Sequence, residues 1–189
     1  MIRCLVVLVP CLLSASLYAG GGAGWHFNQL AEAGTSVAAD HGEGSLDLAA
    51  LKGMAAAYEG TKLNADESDA PGSSLGVRGS AANGAWFEVN SMVDGPAALS
   101  FAYRASATGF DDNRVQVWNG TEWNDLVRFG LDGSKGSRGW VRLVVPLSPQ
   151  EGPLRIRVLL GGAESANGII RFDNVRIGPP EPPTESSSR

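Results

Sequence analysis

From Trp25 onward the chain reads as short runs in which apolar and polar residues alternate, separated by Gly, Asn, Asp and Pro. Alternation at period two marks a strand with one buried face. Ala85 to Val93 carries Phe87 and Val89 on one parity, and Ala98 to Ser106 carries Leu99, Phe101 and Tyr103. Trp140 to Leu147 alternates through Val141, Leu143, Val145 and Leu147. Leu154 to Leu160 alternates through Ile156 and Val158. Arg114 to Trp118, then Asn119-Gly120, then TEWNDLVRF predicts a hairpin, because Asn-Gly suits the positive φ of a type I′ turn. Gly24 to Leu30 predicts a first strand. Ser45 to Leu51 fits a strand or, continued to Tyr58, one or two helical turns, and Asn64 to Ser74 is an acidic loop. No internal repeat is present. Short strands at this spacing predict an all-β fold, an antiparallel β-sandwich of jelly-roll type.

The last run, GIIRFDNVRI (Gly168 to Ile177), breaks its own alternation. Ile170 and Phe172 share one parity, whereas Val175 and Ile177 share the other. A regular strand cannot bury both pairs on one side. The phase slips at Asp173-Asn174, which predicts a β-bulge there.

The two ends differ from the middle. Residues 1–19 hold one positive charge, Arg3, then an apolar run, then small residues ending at Ala19. This is the layout of a secretory signal peptide, and its apolar run is too short for a comfortable membrane span. Both cysteines, Cys4 and Cys11, fall inside it, so the mature chain is expected to lack thiols and disulfides. Residues 179–189 are rich in Pro, Ser and Glu and are expected to be a disordered tail, leaving residues 24–178 as the sandwich. The net charge is −5 and the pI about 5.0, with no basic run, which argues against nucleic acid. The expectation is an exported protein, secreted or periplasmic, with no membrane span in the mature chain.

Candidate chemistry sits on the parity opposite the core. Trp86 shares its face with Glu88 and Asn90, Trp118 with Arg114 and Gln116, and Trp140 with Arg142. Aromatic rings among hydrogen-bonding side chains suit a sugar: the ring stacks on C–H faces and polar groups fix the hydroxyls. Trp86, Trp118, Trp140 and Arg142 are therefore the candidate ligand-binding residues. The competing reading is that each ring covers a sheet edge or packs across a hairpin. Trp123, in phase with Val127 and Phe129, reads as core. Arg104, Arg114, Arg142, Arg155 and Arg157 also lie on outward parity. Such forks can bind the carboxylates of an acidic polysaccharide, but the simpler account is solubility and cross-strand pairing. His26 and His41 have neither a nucleophile elbow nor zinc spacing around them. The acids of ADESDA and GFDDNR sit in loops. No enzyme is expected.

The run RVQVWNGTEWNDL, then GWVRLVVPLSPQEGPLRIRVLLGG, then NGIIRFDNVRIG resembles the second half of secreted bacterial jelly-roll modules. These are the carbohydrate-binding modules of galactose-binding-like fold and the MAM-like and cleaved-adhesin modules. The resemblance covers most of Trp25 to Gly178. It implies a structural Ca²⁺ held by the closing-strand acid, which maps to Asp173, and by a first-strand partner, here Asn28 where those modules often carry Glu. The alternative is that Asp173 and Asn174 serve only backbone groups at the bulge. The resulting expectation is a non-catalytic binding module for extracellular glycan. A structural or adhesion-type envelope protein with a protein partner is the alternative, and a small secreted glycan hydrolase comes third.

Overall fold

The computed structural model describes residues 21–59, 65, 72–131 and 139–180. The expected signal peptide, most of the acidic loop and the expected tail after residue 180 lie outside the described residues. Among the described residues eleven strands follow one another: β1 (Ala23–Trp25), β2 (Ser36–Ala38), β3 (His41–Gly42), β4 (Gly44–Asp47), β5 (Ala55–Tyr58), β6 (Ser74–Arg78), β7 (Trp86–Ala105), β8 (Asn113–Trp118), β9 (Trp123–Phe129), β10 (Val141–Leu159) and β11 (Ile169–Gly178). Short 3₁₀ turns cover Ala49–Leu51 and Ser80–Ala82. All the strand pairings are antiparallel. No helix among the described residues is long and apolar enough to cross a membrane.

β7 and β10 organise the sandwich. Each is long enough to belong to both sheets, and they pair along nearly their whole length. In one sheet the first half of β7 and the second half of β10 lie between β4 with β2 on one side and β8 with β9 on the other. In the other, the second half of β7 pairs with β11, which carries β6 and β5 and, toward its end, β1 and β3. The two strands cross between sheets near Gly95-Pro96 and residues 148–152, where the register shifts between Leu147 and Gln150. The sequence reading divided each of them in two at these Gly and Pro residues. They are corners within continuous ladders instead.

Alternating positions fill the space between the sheets. Phe87 of one sheet meets Phe172 of the other edge-to-face, with centroids 4.9 Å apart, and Phe101 meets Phe129 at 5.3 Å. Ile170, Phe172, Val175 and Ile177 are all buried, as the phase slip in β11 required. The register with β7 shifts between Asp173 and Arg176, and Asn174 takes φ +46°. The bulge therefore returns the strand to core phase.

Two local expectations change. The first strand ends at Trp25, because Phe27 at φ +58° turns the chain while keeping its ring buried. The β8–β9 connection has four residues, with Trp118 paired to Trp123. Only Gly120 takes positive φ there, so the turn is not type I′. Asn119 instead accepts the Thr121 and Glu122 N–H groups on its Oδ1, both at 2.9 Å. A short polar side chain mimicking a backbone turn explains the choice of Asn.

Candidate functional site

The outer face of the β7–β10–β8–β9 sheet brings distant residues into rows. Glu88, Arg157, Gln116 and Asp125 stand opposite one another across four strands. Beside this row Trp118 and Trp123 face each other across the hairpin, ring centroids 5.4 Å apart. Arg155 lies 5.5 Å from the Trp118 ring and 5.4 Å from the Trp123 ring. Arg157 lies 4.5 Å from Trp123 and 5.2 Å from Trp86. Guanidinium planes and indoles thus alternate, each pair gaining about 0.5–1 kcal/mol where solvent reaches it. All three indoles are half-buried.

Polar contacts hold the ladder in place. Arg155 donates a two-pronged bond to Glu88, Nε to Oε1 at 2.7 Å and Nη2 to Oε2 at 3.1 Å. That bond raises the Arg155 guanidinium above its ordinary pKa against the opposing effect of burial. Arg157 Nε donates to Gln116 Oε1 at 2.6 Å, while Gln116 Nε2 donates to Asp125. Burial pulls the Arg157 guanidinium below its usual value, opposed by the charges of Glu88 and Asp125. The face therefore offers aromatic surface beside a line of amide, carboxylate and guanidinium groups. That is suited to holding a polar ligand with C–H faces.

Of the candidate residues, Trp86 and Trp118 meet on this face. Trp140 and Arg142 lie with the other sheet, at the start of β10, where Val141 pairs with Tyr103. Arg142 lines a small pocket there with His26, Ser100, Asn174 and Arg176. Trp123 was assigned to the core by its phase and belongs to the ladder instead. The β8–β9 register shifts between Val115 and Gln116, pairing Val115 with Val127 but Gln116 with Asp125. The extra residue, Leu126, is exposed and reverses the face of everything before it. Arg155 and Arg157 were read as outward forks, either for carboxylates or for solubility and cross-strand pairing, with no ring assigned to them. Their outward parity was visible in the sequence, but the ring partners were not.

At the β11 bulge, Asp173 is 8% exposed and accepts the Asn174 N–H on Oδ1 at 2.9 Å. Asn174 Oδ1 meets His26 Nδ1 at 2.7 Å, and the buried Asn174 Nδ2 has no hydrogen-bond partner. Asn28 Oδ1 stands against Gly72. Calcium takes six to eight oxygen ligands. Asp173 supplies the carboxylate at the bulge, Nδ2 of Asn174 is a donor that no cation satisfies, and no three His, Cys, Asp or Glu residues converge among the described residues. The described residues alone do not complete a calcium cage.

No family model matches the chain, and no curated protein matches it. Solved structures do. The K2 cleaved adhesin domain of Lys-gingipain superposes with a TM-score of 0.52 at 12% identity, covering 82% of this chain and 98% of that one. TmCBM61, in complex with β-1,4-galactotriose, gives 0.51 at 13% identity over 82% and 94%. The chain has the fold of these modules. An arabinose-bound α-L-arabinofuranosidase gives 0.50 at 14% identity, where the likeness spans 88% of this chain and only 27% of the enzyme. At these identities the likeness establishes the β-sandwich and leaves the ligand to the residues.

Proposed function

We propose that this chain is an exported, non-catalytic binding module for extracellular glycan. The observation that carries the reading is the ladder of Trp86, Trp118 and Trp123 interleaved with Arg155 and Arg157 on one sheet face. The rings would stack on sugar C–H faces while Glu88, Gln116 and Asp125 take hydroxyls. A fold shared with a galactotriose-bound module supports this choice. The test is affinity electrophoresis and calorimetry against β-1,4-galactan and a panel of neutral polysaccharides, with Trp86→Ala, Trp118→Ala and Trp123→Ala. Loss of binding in these variants is expected. Failure of the wild type to bind any polymer would overturn the reading.

A second reading is an adhesion-type envelope protein with a protein partner. It is favoured by the guanidinium groups already resting on the indoles, which leave less ring surface for sugar. A structural Ca²⁺ is a separate element of the proposal, with Asp173 and Asn28 as its ligands and other oxygens needed to complete it. Unfolding with EGTA and then with added Ca²⁺ tests it, since a ligand bound only by the native state raises Tm. A calcium-dependent rise lost in Asp173→Ala is expected. No rise in the wild type would remove calcium from the reading.

A further inference from the structure

On the outer face of the other sheet, Arg171 of β11 stands directly opposite Arg104 of β7. Like charges opposed across a ladder destabilise a sheet. Neither guanidinium has a salt bridge or a carboxylate hydrogen bond among the described residues. The next acid along β11, Asp173, engages the Asn174 N–H. The remaining charges of this face within the described strands are Arg78, Arg142 and Arg176. Arg78 donates to Asn167 Oδ1 at 2.6 Å.

The pair is also supported from beneath. The Arg171 guanidinium lies 4.7 Å from the Tyr58 ring. That ring lies over Gly76, where a Cβ would fall 2.2 Å from Tyr58 Cδ2. Only glycine admits the ring there, so the bed under Arg171 is built into the β5–β6 ladder. Burial, and then the charge of Arg104, pulls the Arg171 guanidinium below its ordinary value, while Tyr58 opposes this. An arginine placed for solubility needs neither a ring bed nor a second arginine facing it.

We propose that Arg104 and Arg171 form a clamp for one oxyanion, a carboxylate or a sulfate ester, carried by an acidic polysaccharide. Planar guanidinium forks match both groups. A bound anion would also relieve the repulsion between the two arginines. The clamp lies on the opposite face from the tryptophan ladder and depends on the glycan reading only for the polymer that carries the anion.

The experiment measures affinity for dextran sulfate, polygalacturonate and neutral dextran, using the wild type, Arg104→Gln, Arg171→Gln, the double variant and Gly76→Ala. Arg128→Gln, which removes one positive charge from a pair with Asp112 on the other sheet, is the charge control. The wild type is expected to retain a charged polymer over neutral dextran. Each single Gln variant should weaken that binding at least tenfold, and Gly76→Ala should weaken it by displacing Tyr58. Arg128→Gln should leave it within twofold. Whichever charged polymer loses affinity identifies the carboxylate or the sulfate as the group held. The Gln variants should also unfold no earlier than the wild type, because like-charge repulsion has been removed. Equal losses in Arg128→Gln and the clamp variants, or unchanged affinity in the double variant, would overturn the clamp. Failure of the tryptophan variants alone would sink the glycan site and leave the clamp standing.

Discussion

Asn113 gives the sharpest test of how this fold is held. It opens β8, is fully buried, and joins three segments. Its Nδ2 donates to Phe110 O at 3.0 Å and to Phe129 O at 3.4 Å, and its Oδ1 accepts Gly161 N–H at 3.3 Å. Asn113→Ala removes all three. The Phe110 bond counts in full and the two longer ones about half each, or about 2 kcal/mol at roughly 1 kcal/mol per bond. Leaving the Gly161 N–H without an acceptor adds about 1 kcal/mol more. The expected loss of about 3 kcal/mol lowers Tm by roughly 6–12 °C for a chain of this size. Urea unfolding followed by tryptophan fluorescence and by circular dichroism reads it. Asn113→Asp sharpens the point, because a carboxylate keeps the Gly161 contact but faces two carbonyl oxygens. It should be at least as damaging as Ala at neutral pH and should recover as acid restores a donor. A loss under 0.5 kcal/mol for Ala, or a wild-type Tm for Asp at pH 7, would refute the reasoning.

Other outcomes follow from the same structure. Trp123→Ala should reduce glycan affinity at least as much as Trp118→Ala, since it removes the one ring that orients both Arg155 and Arg157 within the ladder; calorimetry on the two variants decides it. Asn174→Val should unfold earlier than Asn174→Gly by about 1–2 kcal/mol, because φ +46° penalises a β-branched side chain while both variants lose the His26 contact; thermal unfolding compares them. The hydrogen bond from Arg128 holds the Asp112 carboxyl below its ordinary value, with burial opposing and the Arg128 and Arg114 charges adding. Its stabilisation is complete above the ordinary carboxylate range and is lost as pH falls through the depressed value. Tm measured from about pH 6 to pH 2 should therefore fall less steeply in Asp112→Asn than in the wild type.

Much of the β-sandwich was readable from alternation alone. Phe87, Val89, Leu99, Phe101, Ile156 and Val158 are buried where period two placed them. Even the bulge at Asp173-Asn174 was visible, because apolar residues flank it on both sides and their phase change has no other explanation. The β9 bulge was missed. Asp125 on one parity and Leu126 on the other break the alternation, but Trp123 was read across them in the phase of Val127 and Phe129. The corners of β7 and β10 were misread for another reason: Gly and Pro end most strands, and nothing local says that a ladder continues through them. The ladder and the arginine clamp lie further from the text. Which face a residue takes is a property of its own strand, set by backbone geometry over a few residues. Which guanidinium meets which ring depends on the register between segments far apart in the chain. That register is chosen when the two halves of β7 and β10 close over one core, so neither Arg157 between Trp86 and Trp123 nor Arg171 opposite Arg104 exists until the sandwich does.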